Sequence, residues 1–237
     1  MPDIPSVIII GAIRDEVAAV AKGISPDQLP PSQLIRGGVG PDSAARAIAA
    51  LDLTHAKHVC STGFCGGLND DAKVGDIIVA TEILRGDASD RIAVDSQLVE
   101  SISAALKSAG VKFHAGPLVS VREPVFRCED KRALGKSAQA IAVDMESYAI
   151  THPASKISGC RPFVLRVISD SVDDELPSEV SEFLDAEGNV RAGKITRFIF
   201  KRPTNIARLM ELKKRSDTAS AALTAAWKAV WPVVRGS

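Results

Sequence analysis

The sequence predicts an α/β protein, on three observations. Short β-branched runs recur along the chain, Ala-rich amphipathic segments stand between them, and 237 residues are enough to bury one sizeable core. Neither an internal repeat nor a Pro/Gly/Ser-rich linker divides the chain, so one domain over 1–237 is expected.

The elements follow in order. "SVIII" (6–10) is a β-branched run and predicts the first strand, with a helix over 14–22. "SPDQLPP" (25–31) is a loop by its prolines, and the Ala-rich stretch 41–53 predicts a second helix. "HVCST" (58–62) and "DIIVATEI" (76–83) predict strands, 95–109 a helix, and "FHAGPLVSV" (113–121) another strand. Helix over 129–137, strand over "AIAVD" (140–144), helix over 145–151 and strand over "FVLRVIS" (163–169) complete the alternation, with further helix after Pro203. The acids and proline of "SDSVDDELP" (169–177) mark an exposed loop.

Composition excludes several classes. Lys plus Arg equal Asp plus Glu at 29 each, so no global field favours nucleic acid as a partner. Cys60, Cys65, Cys128 and Cys160 form no CxxC pair, and no histidine and orienting acid stand with them as a thiol nucleophile requires. The N-terminus does not read as a signal peptide, so a reducing cytoplasm is expected. No apolar run is long enough to span a bilayer. His55, His58, His114 and His152 lack metal-ligand spacing, so no metal is expected.

Ligands of such folds gather at the carboxyl ends of strands, where three segments carry the chemistry. They are "GAIRDEV" (11–17), "STGFCGGL" (61–68), and "VDMES" (143–147) with "RVISD" (166–170). Gly63, Gly66 and Gly67 read either as a tight turn or as backbone that lets a ligand approach closely. "GGVG" (37–40) lacks the third glycine of a dinucleotide loop. Asp144 and Glu146 interrupt an apolar run, and acids in such a place are paired, exposed or used.

In combination, "GAIRDEV", "STGFCGGLNDDAKVGDIIVATEI", "AIAVDMESYAI" and "PFVLRVISDSVDD" resemble the successive signature segments of the nucleoside phosphorylase and methylthioadenosine/S-adenosylhomocysteine nucleosidase superfamily. "RPFVLRVISD" and "EGNVRAGKITRFIFKRPTNIARLMEL" look most like its hopanoid-associated branch. The resemblance implies a three-layer α/β/α fold with a mixed central sheet. It also implies cleavage of the N-glycosidic bond of a 5′-modified adenosine, with an adenosylated hopane as the specific substrate, no cofactor, and a homo-oligomer.

Cleavage of that bond leaves an oxocarbenium-like sugar and a purine anion, so the chemistry needs an acid for the base and negative charge around the sugar. By resemblance, Asp170 protonates the purine from a desolvated site and Ser169 orients it; the plain alternative is a turn cap. Glu146 binds the ribose hydroxyls and Met145 packs on the sugar, with Asp144 beside them; the alternative for Glu146 is a helix N-terminal acid. Glu16 falls where the nucleosidases keep their water-activating carboxylate and Arg166 where they keep an arginine, against a surface ion pair as the alternative. Gly63, Phe64, Gly66, Gly67 and Phe126 join the expected substrate-binding set. Gly-Asp-Pro-x-Arg, common in the phosphorylases, is missing, which favours water as nucleophile, while Arg14 and Arg36 keep phosphate open. A non-catalytic nucleoside-binding module is a third reading.

Residues 191–215 hold nine Lys or Arg against the single acid Glu211, among Ile195, Phe198, Ile199, Phe200, Ile206, Leu209 and Met210. A helical, basic and apolar C-terminal extension over about 190–237 is expected. It reads as packed helices with a solvated basic face, or as a peripheral membrane contact for a lipid-linked nucleoside.

Overall fold

The computed structural model describes residues 7–25, 27–28, 33–86, 89–177 and 204–236, with 179, 183, 185, 189, 191 and 193–195. Its elements are β1 (Val7–Gly11), α1 (Arg14–Gly23), β2 (Leu34–Arg36), α2 (Pro41–Ala49), β3 (His58–Gly67), β4 (Ile77–Arg85) and β5 (Arg91–Ala93). There follow α3 (Ser96–Ser108), β6 (Phe113–Ser120), α4 (Cys128–Ala138), β7 (Ala142–Asp144), α5 (Ser147–Ala154), β8 (Arg161–Asp170) and a long helix, α6 (Thr204–Gly236).

The strands form one mixed sheet. β3 pairs β8 in parallel, β8 pairs β4 antiparallel, β4 pairs β6 in parallel, β6 pairs β7 in parallel, and β7 returns antiparallel to β3. Five strands therefore close on themselves, while β1 and β2 continue the sheet beyond β3 and β5 edges β4.

Helices cover both faces, and the apolar runs show why. All five residues of β1 are buried. Its alternate side chains enter different layers: Ile8 and Ile10 join Ala44 and Ile48 of α2 and Ile150 and Ala154 of α5. Val7 and Ile9 instead belong to the larger cluster with Ala19 and Val20 of α1 and Leu223 and Trp227 of α6. A strand buried on both faces reads as a continuous apolar run rather than an alternating one. In α6, Ala219, Leu223, Ala226, Trp227, Val230, Trp231 and Val234 are buried, a helical-period stripe that seats its second half in the core. Trp227 Nε1 donates to Thr62 Oγ1 at 3.0 Å, which donates to the Leu165 carbonyl at 2.8 Å, so the indole adds no unpaired polar group.

The structure departs from the sequence expectation most at five elements. β3 runs five residues beyond the expected end, so "GFCGG" is strand and not turn. β2 and β5, three residues each, were not expected. α2 ends at Ala49 rather than at 53, and α5 begins at Ser147 rather than at 145. Of the expected 25–31 loop, residues 26 and 29–31 lie outside the described residues, as do 192 and 196–203 of the basic extension.

Candidate active site

A cavity of about 220 Å³ opens where β1, β3, β7 and β8 end, lined by Glu16, Phe64, Cys65, Gly66, Asp144, Met145, Glu146, Ser169 and Asp170 among others. Topology brings these residues together: the first turn of α1 follows β1, Asp144 ends β7, and Ser169 and Asp170 end β8.

Glu16 is buried, with three backbone amides on its carboxylate. Ala12 and Ile13 donate to Oε2 at 2.6 and 2.9 Å, and Phe64 donates to Oε1 at 2.7 Å. Gly63 makes this seat possible. At φ +141° and with a would-be Cβ only 2.3 Å from Glu16 Oε1, only glycine fits there. Burial pushes the Glu16 carboxyl above its ordinary value, against the opposing pull of Arg166 and the three amides.

Arg166 is the buried cation at the centre of the acids. Its Nη2 lies 2.6 Å from Asp144 Oδ2 and 3.3 Å from Glu146 Oε2. It also donates from Nη2 to Ser61 Oγ at 3.0 Å and from Nη1 to the Phe64 carbonyl at 3.2 Å. Burial alone would lower its proton affinity, but Asp144, Glu146 and Glu16 outweigh that and hold the guanidinium charged. Asp144 accepts the Ser120 and Ser147 hydroxyls and, at 3.1 Å, the Ser147 amide at the start of α5. It is the acid that satisfies the helix N-terminus.

Glu146 occupies the N-cap position of α5, yet its side chain makes no cap hydrogen bond. Its Oε1 instead accepts the Gly40 amide at 2.9 Å and its Oε2 faces Arg166. Burial first, and then the neighbouring Asp144 and Glu16, push its carboxyl up to about 7 against the pull of Arg166. Asp144 and Glu146 thus share one buried guanidinium, whose charge also reaches the amide-bound Glu16, and the Glu146 carboxyl is pushed up to about 7.

Asp170 stands apart from this group. The β3–β8 register slips between Cys65 and Gly66, which pair Ile168 and Asp170, so Ser169 is the extra residue of a bulge. In a regular strand consecutive side chains point to opposite faces; here both Ser169 and Asp170 line the cavity. Ser169 donates its hydroxyl to Asp170 Oδ1 at 2.8 Å, and Lys131 of α4 donates from Nζ to Asp170 Oδ2 at 2.5 Å. The sequence expectation was an acid governed by desolvation, whereas the structure seats it on a buried ammonium. Lys131 was missed because one lysine in a polar helix sequence carries no signal of burial.

Three expected substrate-binding residues lie elsewhere. Gly63 stands behind the Glu16 carboxylate and Gly67 pairs with Ala142 of β7, so neither lines the cavity. Phe126 lines a neighbouring cleft of about 640 Å³ with Leu212 and Arg215 of α6, and Leu176 borders both spaces. The Phe126 carbonyl accepts the Leu176 amide at 3.0 Å, and Val125 and Pro124 take the cavity wall in its place. Cys65 lines the cavity, but burial holds its thiol protonated. No group of His, Cys, Asp and Glu among the described residues could hold a metal ion.

Comparison with known proteins matches residues 8–199 to the model of the phosphorylase superfamily. A 5′-methylthioadenosine/S-adenosylhomocysteine nucleosidase of Haemophilus ducreyi is 31% identical over 169 residues, 64% of this chain and 72% of that protein. Among solved structures, the corresponding nucleosidase of Helicobacter pylori superposes with a TM-score of 0.70 at 17% identity, over 97% of this chain and 99% of that one. The futalosine hydrolase of Helicobacter pylori gives 0.65 at 19% identity, covering 94% and 97% of the two chains. At such identities the structures speak for the fold, a mixed sheet between helical layers.

Proposed function

The chain belongs to the phosphorylase superfamily, and on that premise we propose that it cleaves the N-glycosidic bond of a 5′-modified adenosine and releases adenine. The observation that carries the reading is one cavity holding two kinds of acid: Glu16, Asp144 and Glu146 around Arg166, and Asp170 seated apart between Ser169 and Lys131. An N-glycoside needs that separation, because the base leaves with negative charge while the sugar turns positive.

In this mechanism Asp170, the counter-charge of Lys131 in the free protein, takes up a proton from solvent as the nucleoside binds and delivers it to the purine as the C1′–N9 bond breaks. Glu146 takes the ribose hydroxyls, Met145 packs on the sugar, and the carboxylates stabilise the developing oxocarbenium ion. Glu16 accepts a proton from water as it attacks C1′. Arg166 keeps the three carboxylates together at tolerable cost, since buried charge is stable only when paired and hydrogen-bonded.

Water is the nucleophile in this reading. The supporting observation is the buried Glu16 carboxylate, which would repel phosphate, and the engagement of Arg166 by acids, hydroxyls and a carbonyl. Arg14 and Arg36, the sequence candidates for an anion, do not line the cavity. Within the class we favour the adenosylated hopane of hopanoid biosynthesis, on the resemblance of "RPFVLRVISD" and the segment from Glu187 to the hopanoid-associated branch; the cleft that adjoins the cavity at Leu176 leaves room for a 5′ group but is lined largely by Arg and Glu. The protein is read as a homo-oligomer in the cytoplasm.

Purified protein incubated with 5′-methylthioadenosine, with and without phosphate, tests the reading. Free adenine and free 5-methylthioribose in both samples are expected. A strict phosphate requirement with a sugar 1-phosphate product would establish phosphorolysis, and tight binding without any release would establish a binding module.

A further inference from the structure

Lys131 is fully buried, and its ammonium has three protons and three acceptors: Asp170 Oδ2 at 2.5 Å and the Ser171 and Asp174 carbonyls at 2.9 Å each. The donor count is met in full, so the ammonium is fixed in place. It does not line the cavity, whereas Asp170 and Ser169 do. A buried ammonium without a counter-charge is strongly destabilising, which makes Asp170 the counter-charge that permits Lys131 to be there. Gly66 supplies the remaining clearance, since a Cβ there would come within 3.1 Å of Asp170 Oδ2.

We propose that Lys131 is a positioning residue for base departure: its ammonium fixes Oδ2 of Asp170 from behind, so that the Oδ1 edge, oriented by the Ser169 hydroxyl, is presented to the purine. The inference rests on the adenine-releasing reading and adds to it a residue that acts only through Asp170. A lysine that merely tied down the 171–174 turn through its two carbonyl contacts would affect every substrate alike. One that acts through the purine acid matters only where the leaving group needs a proton.

The experiment compares two substrates sharing one sugar: 5′-methylthioadenosine, whose base must be protonated, and the p-nitrophenyl glycoside of 5-methylthioribose, whose leaving group departs as an anion. Lys131→Met keeps the volume and removes the charge. It is expected to lower kcat/KM for adenine release by about 100-fold, within the usual range for a general acid, while p-nitrophenolate release changes less than about threefold. Because this variant leaves Asp170 unpaired, the Asp170→Asn/Lys131→Met double variant removes both charges together and guards against failure to fold. It is expected to match Asp170→Asn alone on both substrates. Equal losses on the two substrates, or a further loss of more than about tenfold in the double variant, would make Lys131 a structural clamp and overturn the proposal. If the wild type releases neither leaving group, the functional reading falls and takes the proposal with it; adenine release undiminished in Lys131→Met removes the proposal alone.

Discussion

Replacing Glu146 by Gln should stabilise the protein at alkaline pH while abolishing its activity. Glu146 carries its carboxyl at about 7 in the fold against an ordinary 4.5, because burial and the nearby Asp144 and Glu16 outweigh Arg166. The folded state therefore holds a proton that the unfolded chain has released. Below about pH 4.5 both states are protonated and the acid costs nothing; between 4.5 and 7 stability falls as pH rises; above 7 the full penalty applies. At 1.36 kcal/mol per unit that penalty is about 3 kcal/mol, an upper figure for a site with two acids paired to one guanidinium and a third nearby. Glutamine mimics the neutral acid at every pH. In thermal or urea unfolding, Glu146→Gln should match the wild type near pH 4.5 and exceed it at pH 8 by up to about 3 kcal/mol, roughly 6–12 °C in Tm. A variant equally or less stable than the wild type at both pH values would refute the reasoning and show that the Arg166 pairing outweighs burial.

Gly63→Ala should lose at least about 3 kcal/mol of stability and most activity, since the new methyl would collide with the Glu16 carboxylate at a strained φ; wild-type unfolding and turnover would remove Gly63 from the site's support. Sedimentation should show a homo-oligomer at assay concentration, and a fully active monomer would end that expectation. Anionic vesicles should bind the protein at low salt and release it as salt rises, because Ile206 and Met210 are exposed on the turn of α6 that precedes Lys213 and Lys214. Absence of binding at low salt would leave the first half of α6 as a solvated face.

Legibility of the sequence followed burial. "SVIII" was readable because a strand covered on both faces is continuously apolar, and the helices because one face of each repeats with helical period. β2 and β5 escaped since three-residue edge strands hold too few side chains to show a period. Glycine hid the end of β3: Gly63, Gly66 and Gly67 look like a turn, yet the Glu16 carboxylate crowds the first, Asp170 and Val143 of β7 the second, and the Ala72 carbonyl with the Asp170–Ser171 backbone the third. Asp144, Glu146, Ser169 and Asp170 stood out as charged or hydroxyl residues at or just past strand ends, and Glu16 in the first turn of α1, where the structure gathers them around one cavity; Arg166 stood out as a charge in the apolar run of β8, and it lies behind that cavity against Asp144 and Glu146. Lys131 was not visible, because its burial depends on the fold of residues 170–174 some forty positions away. Phe126 was misplaced for a related reason: which side of a loop enters a cavity is set by backbone hydrogen bonds, here the one to Leu176.

In the proposed mechanism Asp170 supplies the proton on which adenine departs. The most direct test of that step is kcat/KM for adenine release by Asp170→Asn beside the wild type. A loss of about 10²- to 10⁴-fold is expected in a variant that still folds and binds the nucleoside, the range seen on removing a general acid. Turnover within a few-fold of the wild type would contradict it.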